Sequence, residues 1–216
     1  MSASLSGLVV VITGASTGIG ATLAKHAVKE GAKVVLAARS VDKLGEIVEV
    51  CGGSAHAIAV QCDVTKRDDH LNLLAVAIEK FGHIDCWINN AGVGISKPVL
   101  TISDEDFDLM MLNNCKSVLY GMQTVVPYYK TQGKGQVINV SSLLGRMPMA
   151  SVRAMYSASK ASMNSLTTNM RVDLHTEGFD NIQVSLFSPG VVATDFGLNA
   201  VGGGPDNRKM PGINIF

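Results

Sequence analysis

Residues Leu8–Gly20 read LVVVITGASTGIG, an apolar, β-branched run that empties into a glycine-rich turn. A run without polar interruption is the pattern of a strand buried on both faces of a parallel sheet. The turn Gly14-Ala15-Ser16-Thr17-Gly18-Ile19-Gly20 leads into ATLAKHAVKEG, a helix closed by Gly31. A tight turn between a buried strand and a helix start aims several backbone N–H groups at one spot. That spot favours an anion, above all a pyrophosphate. Glycines suit it because a Cβ would hold phosphates off the backbone. The spacing is G-x-x-x-G-x-G rather than G-x-G-x-x-G, and no Gly-Lys-Ser/Thr follows, which argues against a P-loop nucleotidase. An ordinary glycine-rich βα turn is the plainer reading, and the flanking strand and helix weigh against it.

Working outward, the same alternation repeats. Lys33–Ala38 reads as a second strand closed by Arg39 and Ser40. An acid at the end of this strand would accept from ribose hydroxyls, as in NAD enzymes, whereas an arginine suits a 2′-phosphate. Ala38 stands in the acid's place and Arg39 follows it, which favours NADP(H) over NAD(H); a solvated loop arginine is the alternative. A helix over Asp42–Val50, a strand over His56–Val60, a helix over Asp68–Phe81 and a strand over Ile84–Ile88 follow. Asp63-Val64 and Asn89-Asn90-Ala91-Gly92 stand at the ends of the third and fourth strands. There a carboxylate and backbone amides can meet an adenine edge, and a small Ala91-Gly92 step can lie flat against an adenosine; both are also common turn residues. Ser103-Asp104-Glu105-Asp106 is a capping box that starts a helix running toward Pro127, with Asn113 and Asn114 in its middle. Gln136–Val140 and Ile182–Phe187 complete six strands alternating with helices, the pattern of a doubly wound parallel α/β sheet. Its ligand crevice lies beyond the carboxyl ends of the strands, where Gly14, Arg39, Asp63, Asn89, Ser142 and Pro189 all fall.

Composition narrows the choice of partners. The chain has 216 residues, suited to one domain, and 47% of them are apolar, enough for a sizeable core. Eighteen basic residues balance eighteen acidic ones, so charge implies neither nucleic acid nor an anionic membrane. Cys51, Cys62, Cys86 and Cys115 form no C-x-x-C and have no paired histidines, so a metal site is unsupported and a reducing compartment is expected. The N-terminus lacks a basic region and its apolar run is too short for a membrane span, which reads as a cytoplasmic protein.

The residues best placed for chemistry are Tyr156 and Lys160, in the helical run YSASKASMNSLTTNMRVDL. At this spacing their side chains share one helix face. An ammonium about 4 Å from a phenolate is worth roughly 4 kcal/mol at an effective dielectric of about 20. That is about 3 pKa units, enough to poise a phenol near neutrality. Tyr–Lys pairs also occupy ordinary solvated faces, so this pair alone decides little.

TGASTGIG (Thr13–Gly20), Asp63, NNAG (Asn89–Gly92), a mid-helix Asn, the serine after the fifth strand, YSASK (Tyr156–Lys160) and SPGVVAT (Ser188–Thr194) together resemble the short-chain dehydrogenase/reductase family, in order, from residue 5 to about 195. The resemblance implies a Rossmann-type domain spanning 1–216 that moves a hydride and a proton between NADP(H), or alternatively NAD(H), and a carbonyl/alcohol pair on a small molecule. It implies that Tyr156 acts as general acid/base, that Lys160 lowers its pKa and binds the nicotinamide ribose, that Ser142 holds the substrate oxygen, and that Asn114 supports a water in a proton relay. Ser142 is chosen over Ser141 by its interval to Tyr156, and Asn114 over Asn113 by its distance to Pro127. Gly14, Ser16, Thr17, Gly18, Ile19, Gly20, Arg39, Asp63, Val64, Asn90, Ala91 and Gly92 would line the dinucleotide, with Pro189, Gly190, Val192 and Thr194 at the nicotinamide. A dimer, or a tetramer, through the helices near Asp104–Tyr129 and Ala154–Glu177 is also implied.

The sequence departs from the family after Thr194. Residues 196–216 read as loop or a truncated tail, with a short strand at most over Ile213–Phe216 and the family's last strand apparently missing. That leaves the substrate pocket under-walled, and a cofactor-binding interaction protein with weak or no turnover is the alternative.

Overall fold

The computed structural model describes residues 4–209. The strands are β1 (Val9–Thr13), β2 (Lys33–Ala38), β3 (Ala57–Gln61), β4 (Cys86–Asn89), β5 (Gly135–Val140) and β6 (Ile182–Phe187). All pair in parallel, in the order β3-β2-β1-β4-β5-β6. The helices are α1 (Gly18–Lys29), α2 (Val41–Val50), α3 (Arg67–Phe81), α4 (Asp104–Met111), α5 (Ser117–Gln132) and α6 (Ala154–Thr176).

Strand alternation divides the core between two faces. Val10, Ile12, Val34, Leu36 and Ile88 pack under Ala21, Ala24 and Ala27 of α1 and Leu44 and Ile47 of α2. Val11, Val35, Trp87, Val137 and Val184 point the other way, onto α3, α5 and α6 through Leu73, Met122, Val125 and Met163. Because both faces are covered, β1 has five buried residues in succession, which is why it reads as an unbroken apolar run. The chain leaves β1 toward β2 on one side and later sets β4 on its other side. The order therefore reverses between β1 and β4, and a crevice opens at their carboxyl ends.

A buried polar chain ties this half of the sheet to its helices. Trp87 Nε1 donates to Asn89 Oδ1 at 2.9 Å, Asn89 Nδ2 to Asn139 Oδ1 at 2.8 Å, and Asn139 Nδ2 to Thr167 Oγ1 of α6 at 2.9 Å. Each amide satisfies a group that would otherwise be buried without a partner. The helix above must come close: a Cβ on Gly121 of α5 would sit 2.2 Å from Asn89 Oδ1.

The structure adds to or alters the sequence reading in several places. The helix that runs toward Pro127 passes it and continues to Gln132, with Pro127 on the exposed face, where water can take the carbonyl that proline leaves without a donor. The capping box forms, with Ser103 and Asp106 exchanging bonds, but between α4 and α5 the backbone widens into a π turn, Leu112–Lys116. The strand expected from Ile84 begins at Cys86, since Asp85 instead closes the ladder by accepting Val9 N–H on its carboxylate and donating its own N–H to Val9 O. Past Thr194 the described chain is mostly turn and loop, and Val201 forms an isolated bridge with Ile95 in the loop after β4. The strand suggested for Ile213–Phe216 lies outside the described residues. Among the described residues no helix is long and apolar enough to cross a membrane, and all four cysteines are free and buried.

Gly121→Ala should lower the stability of the folded chain by about 2–3 kcal/mol, through overpacking and a disturbed buried hydrogen bond. A denaturant midpoint equal to wild type would show that α5 can retreat from Asn89 at no cost.

Candidate active site

A cavity of about 850 Å³ runs along the carboxyl ends of the strands, within the range of small-molecule sites. Its floor at the β1 end is the glycine turn. Gly14 and Gly18 adopt left-handed backbone, with φ of +64° and +56°. A Cβ on Gly14 would lie 2.7 Å from Ala91 Cα, and one on Gly20 would lie 2.5 Å from Gly14 O. The Asn90 amide fastens this contact by donating to Thr13 O at 2.9 Å and Gly14 O at 3.2 Å. The Thr13 hydroxyl takes the N–H groups of Asn90 and Ala91. No side chain caps α1 and its first turn carries no acid, so its leading N–H groups face the cavity without competition. Gly14, Ser16, Thr17, Gly18 and Ile19 line the cavity, while Gly20 lies beneath the turn as the residue that lets it close.

Arg39, Asp63 and Val64 line the far end. The Asp63 carboxyl is held below its usual range, first by the Thr65 hydroxyl at 2.7 Å, with the Thr65 amide, Arg39 and Lys66 adding to the effect. Arg39 itself is exposed at the end of β2, free to swing over a ligand. Asn90, Ala91 and Gly92 form the middle of the wall, opposite Pro189, Gly190, Val192 and Thr194. The glycine turn meets the Thr194 side of the wall, where a Cβ on Gly18 would come within 3.3 Å of the Thr194 methyl group.

Tyr156 and Lys160 of α6 and Ser142 after β5 converge at the deep end, all three in the cavity wall and all buried. Burial pushes the Tyr156 phenol up, while the Ser142 hydroxyl and then the Arg153 guanidinium pull it down. Ser141, also in the wall, donates its hydroxyl to Asn164 Oδ1 at 2.5 Å, whereas the Ser142 Oγ accepts from Leu144 N at 3.2 Å and keeps its proton for the cavity. The Tyr156 ring packs on Phe196, 5.6 Å between centroids.

The Lys160 amine donates to Val140 O at 2.8 Å and stands over the Tyr156 ring, 5.9 Å from its centroid. Burial alone brings that amine down to about 8. The sheet carbonyl captures it because a buried N–H group without an acceptor would be costly. Asn114 is fully buried outside the cavity wall, its amide spent on the Val93 backbone in both directions and on Ser159 Oγ at 3.0 Å. It still stands close to the site, since a Cβ on Gly92 would meet both Asn114 Oδ1 and Lys160 Nζ. The π turn carries it there by adding a residue to one helical turn. Asn113, which was set aside in its favour, touches the cavity.

The sequence reading missed Arg153, which lines the cavity together with Phe196, Asn199 and Asn207 of the tail. Arg153 carried a signal: it precedes Tyr156 by three residues, immediately before the helix. The segment from Thr194 to Asn207 walls the substrate side, where an open pocket was expected.

Comparison with known proteins agrees with this geometry. Residues 8–201 match the short chain dehydrogenase family. An uncharacterised oxidoreductase of Staphylococcus epidermidis is 34% identical over 213 residues, covering 96% of this chain and 86% of that protein. One from Listeria innocua is 36% identical over 188 residues, covering 87% and 75%. Among solved structures, a short-chain dehydrogenase/reductase from Burkholderia phymatum in complex with NAD superposes with a TM-score of 0.85 at 29% identity, covering 91% of this chain and 70% of that one. A metagenomic short-chain oxidoreductase in complex with NADP gives 0.77 at 34% identity, covering 87% and 84%. With its six-stranded doubly wound sheet and its crevice at the switch point, the chain belongs to the short-chain dehydrogenase/reductase family of oxidoreductases.

Proposed function

We propose that the protein is an NADP(H)-dependent oxidoreductase that moves hydride between the nicotinamide and a carbonyl or secondary alcohol, with Tyr156 as general acid/base. The observation that carries this reading is the placement of Tyr156 and Ser142 in the same cavity as the uncapped glycine turn. The turn fits a pyrophosphate: its leading amides are open and its close backbone approach leaves no side chain in the way. Arg39, with no acid at the end of β2, supports a 2′-phosphate.

When bound, the nicotinamide supplies or accepts the hydride. The chain does the rest. The Ser142 hydroxyl orients the substrate oxygen toward Tyr156. The Tyr156 phenol gives its proton to that oxygen in reduction, or takes it in oxidation. Lys160, held by Val140 O, stands over the Tyr156 ring and beside Gly92, where it would meet a ribose hydroxyl. Burial raises Tyr156 in the free protein, so the groups that bring its proton into play are Ser142 and Arg153. Asn114 acts as a positioning residue: it fixes Val93 and so the wall opposite Tyr156. The wall at 194–207 supports turnover over a purely cofactor-binding role.

Tyr156→Phe should abolish NADPH oxidation across a panel of ketones and aldehydes while leaving NADPH affinity, read by fluorescence titration, nearly unchanged. A variant that keeps most of its rate contradicts the acid/base role. Arg39→Ala should weaken NADPH about ten- to hundred-fold, the worth of a charge-assisted contact, and NADH little. Equal weakening of both would remove the phosphate assignment.

The buried amine adds a pH signature to the cofactor-free protein. Its folded value is about 8 against 10.5 in the open chain. Between the two, the unfolded state holds the proton that the folded state has released, so this group adds stability as pH rises from about 8 to 10.5. The stability of wild type minus that of Lys160→Met should climb over that window, by at most about 1.4 kcal/mol per pH unit. A flat difference would show that the amine is not desolvated.

A further inference from the structure

The substrate side of the cavity holds a cation whose charge nothing in the described chain balances. Arg153 is the residue before α6, three residues ahead of Tyr156, and it lines the same cavity. Its Nη1 donates to Ile95 O at 3.1 Å. Among the described residues no carboxylate pairs with it. Two acids line the cavity: Asp63 at the far end, bound by Thr65, and Asp195, whose carboxylate meets Arg208 at 3.0 Å. The first turn of α6 has no acid either.

The guanidinium is also held in place. A Cβ on Gly94 would come within 3.3 Å of Nη1, and one on Gly204 within 2.9 Å of Nη2. The group thus sits in a slot between the loop after β4 and the tail, both glycine at the point of contact. Val152, just before it, takes a left-handed backbone with φ of +55°, which a β-branched residue rarely does. Such strain, of order 1–3 kcal/mol, persists where the surroundings demand one conformation. A half-buried guanidinium with one carbonyl partner keeps N–H donors in a planar fork, which matches a carboxylate in a two-bond arrangement.

We propose that Arg153 selects the substrate by binding a carboxylate on the molecule whose carbonyl Tyr156 protonates, so that the enzyme acts on oxo acids and the corresponding hydroxy acids. This rests on the Tyr156 reading above. Because Arg153 immediately precedes α6, three residues before Tyr156, and both line one cavity, carboxylate and carbonyl are separated by a short carbon spacer.

The test uses the full chain loaded with NADPH, and a series of 2-, 3- and 4-oxo acids with their methyl esters. Binding is read by calorimetry and turnover by NADPH oxidation. Wild type should favour at least one acid over its ester by about ten- to hundred-fold, the worth of a charge-assisted hydrogen bond. Arg153→Gln should bring that ratio close to one, and Arg153→Lys should restore part of it. A merely structural arginine would lower acid and ester together and leave the ratio unchanged in Arg153→Gln, which would overturn the proposal. Wild-type turnover of esters with no acid preferred would overturn it while leaving the Tyr156 reading intact. Acid preference in binding that is lost in Arg153→Gln, with no NADPH oxidation by any compound, would support the carboxylate site and contradict hydride transfer.

Discussion

Backbone touches backbone where the turn after β1 meets the turn after β4, and the rest of the site is arranged around that contact. Gly14 rests on Ala91 so closely that one added carbon would overlap it, and the Asn90 amide and Thr13 hydroxyl bind the two turns with four hydrogen bonds. The contact exists because β1 and β4 are neighbours although far apart in sequence, which is the reversal of strand order. It fixes where the leading amides of α1 point, and so where an anion would lie. It also explains a sequence of small residues on both turns, since any bulk there would separate the strands.

From that contact the site is built toward α6. The amide chain from Trp87 through Asn89 and Asn139 to Thr167 couples β4 and β5 to the helix that carries Tyr156 and Lys160. Lys160 then closes the join by reaching back to Val140 O at the end of β5. A buried ammonium with a single carbonyl partner is unfavourable, and its depressed pKa expresses that. The arrangement makes sense as a site awaiting polar and anionic company, consistent with the open amides at its other end. The proposed site is thus built largely on strand ends and one long helix.

Much of this was legible in the chain. β2 and β6 fall on the residues their apolar runs marked, and the glycine turn announced its own geometry, because strand burial and glycine placement are local properties. Ser142 and Ser141 could be told apart only by counting residues to Tyr156; the structure gives the physical reason, since Asn164 occupies Ser141. What escaped was nonlocal or directional. A π turn leaves no compositional trace, so the placing of Asn113 and Asn114 could not be read from a 3.6-residue period. Spacing put Lys160 on the face of Tyr156, but its acceptor, Val140 O, lies on a strand twenty residues away. The bridge in the tail left no trace because its partner, Ile95, is distant in sequence and the contact is a single residue pair. Arg153 escaped because the loop after β4 and the tail that enclose its guanidinium are distant in sequence.

The account stands or falls on one cavity serving both the glycine turn and the phenol. A crystal structure of the chain with NADP⁺ tests this most directly. The account requires the pyrophosphate on the amides at the start of α1, the 2′-phosphate at Arg39, and the nicotinamide between Thr194 and the Tyr156 hydroxyl. A dinucleotide bound elsewhere, or one whose nicotinamide lies out of reach of Tyr156, would contradict it.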